Sequence, residues 1–226
     1  MTAPARSGRR AALALGLLGL AALALPGCRA VLRLPEPRGV HRSDPVDPAR
    51  EPGWPPWIRD PAAGLVSVAP GLDLRRHARL VVHPFEVNPE DVHDAEDRGL
   101  AQDVVDRLHR RLLEGLRGAG AFADVLDARG AAPAGDALSL RGTVTRLSAG
   151  DRALRHFVGF GAGRTTLQVE TRLITSEGGV VVATADRRIA SKGFLGGDGR
   201  EFLLRSADEI ADGIVDFLRR RAGAAR

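Results

Sequence analysis

The stretch LSLRGTVTRL, residues 138–147, decides the fold class because its apolar residues recur with period two. That period is typical of a strand with one face against a core and the other face open. The residues that would share one face are Leu138, Leu140, Gly142, Val144 and Arg146. Leu147 breaks the alternation at the end of the strand. The stretch predicts a long strand, and the chain around it should supply the rest of a sheet.

Other strands are predicted on both sides of this one. Residues 164–176 alternate in the same way, the Gly178–Gly179 pair is typical of a hairpin turn, and residues 180–189 would return as the next strand. Earlier in the chain, residues 77–85 and 122–126 predict a longer and a shorter strand.

Two amphipathic helices are predicted before and after these strands. The first spans residues 95–116, where apolar residues recur at every fourth position. Its stripe consists of Leu100, Val104, Leu108, Leu112 and Leu116, widened by Val105 and Leu113. The second helix begins at Asp198, which forms a capping-box-like pair with Glu201. Its stripe consists of Leu203, Ala207, Ile210, Ile214 and Phe217.

The order of the predicted elements is strand, helix, four strands and helix. Consecutive hairpins with two helices against one face favour an α+β fold. We therefore expect residues 76–226 to form one α+β domain. Its mainly antiparallel sheet would have about five strands, with the two helices packed on one face.

The first 27 residues have the pattern of a secretory signal peptide. Arginines precede an apolar run of 15 residues, 11–25, which is short for a membrane span of roughly 20 residues. The run ends at Leu25-Pro26-Gly27-Cys28, which resembles the bacterial lipobox, although Pro26 departs from the usual pattern. The resemblance implies that residues 1–27 are removed and that Cys28 is acylated with chains such as palmitate. An ordinary signal peptide with an incidental cysteine, or a short membrane anchor, is the alternative.

Acylation of Cys28 would hold the protein on a membrane, because two or three acyl chains anchor stably where one does not. Arg29 stands where an acidic residue retains lipoproteins on the inner membrane of well-studied Gram-negative bacteria. The resemblance therefore implies the outer membrane, with the domain facing the periplasm. Residues 28–75 would be the lipidated cysteine and a tether, since nine prolines remove amide donors and restrict the backbone.

Trp54 and Trp57 interrupt this tether in the motif GWPPW, residues 53–57. One interpretation is a docking site for a partner or for a membrane interface. The other is that the tether folds back at this point and the tryptophans pack on the domain. The sequence leaves both interpretations open.

The composition argues against nucleic-acid binding. The formal net charge is +5, and loss of residues 1–27 lowers it to +2 because three arginines leave with them. Lys192 is the only lysine, so the abundance of arginine reflects a general bias toward Ala, Gly, Pro and Arg. With Cys28 acylated no disulfide is possible, and the domain must rely on its hydrophobic core.

No pattern of residues indicates catalysis or a cofactor. The six histidines are scattered without metal-ligand spacing, and the serines lack the context of a nucleophile elbow. Asp91, His93 and Asp94 lie close together in an acidic stretch and are a weak candidate for a metal site. We therefore expect a protein that is not an enzyme and has no resident metal or cofactor.

A glycine-rich block, GDRALRHFVGFGAG at residues 150–163, lies between two predicted strands. Together with LRGTVT at residues 140–145 and GFLGG at residues 193–197, it resembles the bacterial lipoprotein family catalogued as domain of unknown function 4410. The resemblance covers residues 77–220. More distantly, the arrangement is similar to the α/β modules of curli-secretion-type periplasmic lipoproteins. The family has no established activity, so the resemblance implies no catalytic residue.

The glycines of this block have three interpretations. A nucleotide loop is disfavoured, because a strand follows the G-x-G-x-G motif where a phosphate loop needs a helix N-terminus. The glycines could allow tight packing against a strand. Alternatively, the block is a partner-binding loop with an apolar tip. The candidate residues of such a loop are Arg155, Phe157, Gly159, Phe160, Gly161 and Gly163.

These patterns together predict a membrane-anchored lipoprotein of the cell envelope. Its periplasmic domain would bind another envelope protein or associate with copies of itself. The alternative is a small-ligand or lipid-binding envelope module, which would require a cavity between the sheet and the helices.

Overall fold

A computed structural model describes residues 40–43, 54–88, 95–130, 136–149, 165–190 and 198–223, with the backbone alone at residues 40–43 and 95–97. The strands are β1 (Val40–Ser43), β2 (Ile58–Asp60), β3 (Gly64–Val68), β4 (Arg79–Val82), β5 (Glu86–Val87), β6 (Asp124–Asp127), β7 (Leu138–Ser148), β8 (Thr166–Ile174) and β9 (Val180–Ala190). The helices are α1 (Ala95–Ala119) and α2 (Gly199–Arg221), and a short 3₁₀ helix spans Leu74–Arg76.

The sheet is mixed and has nine strands within the described ranges, in the order β2-β3-β9-β8-β7-β4-β6. β1 lies beside β9, and β5 lies beside β7. β4 runs parallel to β6 and β7, and β5 runs parallel to β7, whereas the other pairs are antiparallel. The expected α+β class is confirmed, but the prediction of a mainly antiparallel sheet of about five strands is wrong.

Two features of the chain explain this difference. α1 connects β4 to β6, and a helical crossover brings the second strand back parallel to the first. In addition, β2 has three residues and β5 has two, which is too short for an alternating pattern to emerge from the sequence. The long antiparallel strands β7, β8 and β9 were therefore predictable, and the short strands around them were not.

The predicted strand at residues 138–147 is β7, and its alternating leucines are buried. The register against β8 shifts between Val144 and Arg146, so that Thr145 forms a bulge. The bulge turns Arg146 away from the buried face and brings Leu147 onto it, where Leu147 is 4% exposed. Arg146 is therefore not on the predicted face, and the break in alternation at Leu147 has its cause in the bulge that precedes it.

Both helices pack on one face of the sheet, as predicted, and both apolar stripes lie in a single core. The helices run parallel to each other. Three arginine–aspartate pairs link them in order, Arg200–Asp103 at 2.7 Å, Arg107–Asp208 at 2.6 Å and Arg111–Asp212 at 2.7 Å. Neither helix combines the length and the apolar character that a membrane span requires.

Two local predictions about chain ends and turns are confirmed. Asp198 is the N-cap of α2, and its side chain accepts a hydrogen bond of 2.9 Å from the amide of Arg200. Gly178 has a φ of 86° in the turn between β8 and β9, a conformation that favours glycine.

Strands also occur within residues 28–75, the range expected to be a tether. β1 and β3 both pair with β9, and β2 pairs with β3. Gly64 at the start of β3 has a φ of 83°, and a Cβ there would lie 2.5 Å from the carbonyl oxygen of Ala185. The sheet therefore extends N-terminal of the boundary expected at residue 76, because short strands between prolines carry no periodic signal.

The turn between β2 and β3 is seated on α2. Arg220 donates to both carboxylate oxygens of Asp60, at 3.0 and 3.1 Å, and Asp60 also accepts from the amides of Ala62 and Ala63. Burial alone would raise the pKa of Asp60, but these hydrogen bonds outweigh it and the pKa is lowered from 3.8. At Gly213 the α2 backbone approaches the turn so closely that a Cβ would lie 2.2 Å from the carbonyl oxygen of Ala62.

Candidate functional site

The helix-free face of the sheet is formed by the alternate residues that do not point toward α1 and α2. In the three central strands this face is polar and rich in arginine, unlike the core face. Its residues include Arg141, Thr143, Arg146, Gln168, Glu170, Arg172, Ala183, Ala185 and Arg187. Neither α1 nor α2 covers this face of the sheet.

The segment Trp54–Ile58 lies on part of this face. Trp54 and Trp57 line a cleft of about 10 Å³, together with Glu170, Thr171, Arg172, Ala183 and Thr184. A cleft of that size holds about one water molecule, so the tryptophans lie close to the strands. The hydroxyl of Ser67 donates to the carbonyl oxygen of Pro55 at 2.8 Å and ties the segment to β3.

The tryptophans therefore fold back onto the domain, the second of the two interpretations of the GWPPW motif. The segment still presents apolar surface to solvent. Ile58 is 59% exposed, Pro56 is exposed, and both tryptophans are partly exposed. A contiguous apolar surface with tryptophan is typical of a protein contact site. We call residues 54–58 the tryptophan surface.

A second surface feature is the α1–β6 groove, an open cavity of about 450 Å³ at the opposite edge of the sheet. It is lined by Asp106, His109, Arg110, Leu113, Glu114, Arg117, Asp127 and Arg129. Most of these side chains are charged, and both signs of charge are present. The groove is therefore a polar surface and does not resemble an apolar ligand pocket.

His109 is the buried centre of this groove, with 1% exposure. Its Nε2 lies 2.9 Å from Oδ1 of Asp127, and its Nδ1 lies 3.2 Å from the carbonyl oxygen of His83. Both ring nitrogens thus face acceptors and tie α1 to the ends of β4 and β6. Burial would raise the pKa of Asp127, but hydrogen bonds from the Arg129 amide and from His109 lower it overall.

His83, which follows β4, forms a hydroxyl–imidazole pair with Ser139 of β7. Its Nε2 lies 3.3 Å from Oγ of Ser139. Burial, and then the charge of Arg141, lower the pKa of His83 below 6.5, so the ring is neutral at neutral pH. In the described part of the chain no carboxylate contacts this ring, so the pair lacks the third group that orients a catalytic histidine.

The free edge of β6 is covered by its own chain. The amides of Asp124 and Ala128 donate toward β4, so the carbonyl of Val125, which alternates with them, points away from the sheet. Nε of Arg117 on α1 donates to that carbonyl oxygen at 3.2 Å. An outward-facing acceptor of this edge strand is therefore already satisfied.

The residues predicted to carry function lie outside the described residues. They are the lipidation residue Cys28, the loop residues Arg155, Phe157, Gly159, Phe160, Gly161 and Gly163, and the weak metal candidates Asp91, His93 and Asp94. Within the described ranges, no group of three or more His, Cys, Asp or Glu could hold a metal ion.

Sequence reasoning missed the role of His109, although a signal was present. His109 stands four residues after Val105 and four before Leu113, on the edge of the apolar stripe, where a polar residue must find a buried partner. That partner, Asp127, comes 18 residues later and becomes apparent only in the folded chain.

Comparison with known proteins adds a family and a set of structural likenesses. Residues 80–191 match the model of the family described as domain of unknown function (DUF4410). No curated protein matches the chain. Among solved structures, it is similar to a PelC dodecamer from Paraburkholderia phytofirmans, at 17% identity over 66% of this chain and 94% of that chain, with a TM-score of 0.40.

Two further solved structures show the same level of likeness. A dodecamer of a PelC variant with one leucine-to-methionine substitution, from the same organism, is 20% identical over 69% of this chain and 98% of that chain, with a TM-score of 0.43. A Xanthomonas campestris protein of the family DUF330 is 13% identical over 80% of this chain and 95% of that chain, with a TM-score of 0.44. The family that the glycine-rich block resembled is thereby confirmed by the match to residues 80–191.

Proposed function

We propose that this chain, whose residues 80–191 belong to the DUF4410 family, is a lipid-anchored envelope protein that acts by binding and not by catalysis. Its domain binds another envelope protein or further copies of itself, on the periplasmic side of the outer membrane. Acyl chains on Cys28 hold it there, and residues between Cys28 and the sheet form the tether.

The tryptophan surface is the observation that carries the binding role. Ile58, 59% exposed, lies on a short strand beside two tryptophans that are themselves partly exposed. Tryptophan contributes strongly to protein interfaces because it buries a large, rigid and amphipathic side chain. Ser67 fixes the segment through Pro55, so that binding would order little additional chain.

In-cell crosslinking of the tagged full chain tests this proposal. We expect one specific crosslinked species in the wild type, lost in Ile58→Asp and retained in Ile58→Leu, which keeps an apolar side chain at the same position. The loop of the glycine-rich block is tested in the same way by Phe160→Asp. Loss in one of these variants and not in the other assigns the contact to one of the two surfaces.

Two results would contradict the binding role. One is a purified mature protein that remains monomeric and gives no crosslinked species in cells. The other is a crosslinking pattern that neither Ile58→Asp nor Phe160→Asp changes, which would exclude both proposed contact surfaces.

The alternative function, a lipid-binding or small-ligand module, needs a cavity between the sheet and the helices. Of the two cavities described above, one is the cleft beneath the tryptophans and the other is the polar α1–β6 groove. The cleft lies on the helix-free face, and the groove opens between α1 and the edge strand β6, where its lining is mostly charged. We therefore favour a protein partner.

A further inference from the structure

Arg187 on β9 is a buried arginine on the helix-free face. The residue is 9% exposed, and its Nε donates to Oε1 of Gln168 at 2.9 Å. No carboxylate of the described residues forms an ion pair with it. A guanidinium removed from water without a counter-charge is costly, and buried arginines are normally paired.

The next residue in the chain shows how this fold compensates a buried arginine elsewhere. Arg188 points to the helix-covered face, where its guanidinium reaches Asp186 at 3.0 Å and Glu209 of α2 at 2.9 Å. Two carboxylates thus accompany one guanidinium. On the opposite face, Arg187 has the neutral side-chain amide of Gln168 in their place.

A second arginine, Arg146, lies across the sheet from Arg187 on the same face. The strand register places Arg146 on β7 opposite Gln168 on β8, and Gln168 opposite Arg187 on β9. Adjacent strands are about 4.8 Å apart, so the two arginines start from backbones separated by about 10 Å. The bulge at Thr145 is what turns Arg146 to this face.

The charges of the described residues around this row do not neutralise it. Burial, and then repulsion by the positive charge of Arg146, lower the pKa of Arg187. The nearest acid in the network is Glu170, which accepts from Nε2 of Gln168 at 3.2 Å and from Oγ1 of Thr145 at 3.4 Å. Its contact with Arg187 therefore runs through the amide of Gln168.

We propose that the row Arg146–Gln168–Arg187 is a binding site for a phosphate group, which the two guanidiniums hold between them. An oxyanion bound between the two guanidiniums would supply a counter-charge to both and offset their mutual repulsion. Two arginines carry two positive charges and ten N–H donors in planar forks, which suits phosphate better than a single carboxylate. A free phosphomonoester and a phospholipid headgroup share this chemistry.

Thermal unfolding of the full, acylated chain in detergent tests the site. The buffer changes from chloride to inorganic phosphate at constant ionic strength. We expect the wild-type midpoint to rise with phosphate concentration, and the apparent affinity for phosphate to fall at least tenfold in Arg146→Gln. Arg141→Gln is the matched control, because Arg141 is an exposed arginine of the same strand and face outside the row. Its response should equal that of the wild type.

Arg187→Gln gives a second and independent readout. In chloride its midpoint should be no lower than that of the wild type, because the variant removes a buried charge that no carboxylate of the described residues compensates. In phosphate it should show no rise. A wild-type midpoint that phosphate does not move, or a rise of equal size in wild type and Arg146→Gln, would overturn the proposal.

Glycerophosphoglycerol, the deacylated headgroup of phosphatidylglycerol, separates the two sources of phosphate. A rise with this probe as well as with inorganic phosphate assigns the site to a lipid headgroup. A rise with inorganic phosphate alone assigns it to a free phosphomonoester. Acetate at the same ionic strength should leave the midpoint unchanged, and an equal rise with acetate would refute the preference for phosphate.

Discussion

Replacement of Gly213 by alanine would test whether the turn between β2 and β3 packs against α2 as part of the folded domain. The new Cβ would lie 2.2 Å from the carbonyl oxygen of Ala62. Both atoms belong to backbone-fixed positions, so neither a rotamer change nor a flexible side chain can relieve the contact. The turn would have to move away from α2 and weaken the pair between Arg220 and Asp60.

Gly99→Ala isolates the cost of this clash. Gly99 lies in α1, and a Cβ there would meet nothing within 4 Å. Alanine gains about 1 kcal/mol over glycine in a helix, and both variants share that gain. Overpacking of a close contact costs about 1–3 kcal/mol. We therefore expect the free energy of unfolding of Gly213→Ala to be lower than that of Gly99→Ala by about 1–3 kcal/mol.

Urea unfolding of both variants, followed by far-ultraviolet circular dichroism, measures this difference directly. The slope of the free energy against urea should be the same in both, since neither variant changes the surface exposed on unfolding. If the two free energies agree within about 0.5 kcal/mol, the turn is not seated on α2 and residues 58–68 are not part of the packed domain.

Two further predictions follow from single residues. Because the folded-state pKa of Asp60 is lowered from 3.8, its contribution to stability is present above about pH 3.8 and lost as the pH falls through the lower folded value. Asp60→Asn should therefore lower the free energy of unfolding by about 1–2 kcal/mol at pH 7 and flatten its dependence on pH below 4; an unchanged acid profile would contradict the role of the Arg220 pair. Cys28→Ala should leave the protein unprocessed or released from the membrane fraction, with an unchanged midpoint of thermal unfolding, and a midpoint lowered by several degrees would show that the N-terminus is not a simple anchor.

The elements that the sequence predicted well are those whose pattern is long and local. α1, α2 and the strands β7 to β9 each carry a stripe or an alternation over nine or more residues, and burial selects those residues directly. β2, β3 and β5 have five residues or fewer, and the pairing of β3 with β9 and of β5 with β7 joins segments far apart in the chain. Gly64 and Gly213 mark the close approaches that such partners require, but a glycine in the sequence does not reveal what approaches it.

The surface features were less predictable, for a related reason. Trp54 and Trp57 stand out in the sequence as a motif, but only the folded chain shows that they lie against strands β8 and β9. Arg187 is one of many arginines in the sequence, and neither its burial nor its lack of a carboxylate partner among the described residues follows from its neighbours in the chain. The bulge at Thr145 moved Arg146 to that face, and no local pattern predicts a bulge.

The contact between Arg117 and the carbonyl oxygen of Val125 has a consequence for how the molecules can accumulate. An edge strand with free acceptors can template a strand of a second molecule, and repeated addition leads to aggregation. In this domain a cation of α1 already occupies that position at β6, and it would have to be displaced before another strand could pair there. Open-ended addition of strands through the β6 edge is thereby disfavoured, so that molecules of this protein can reach a high local concentration without pairing at that edge.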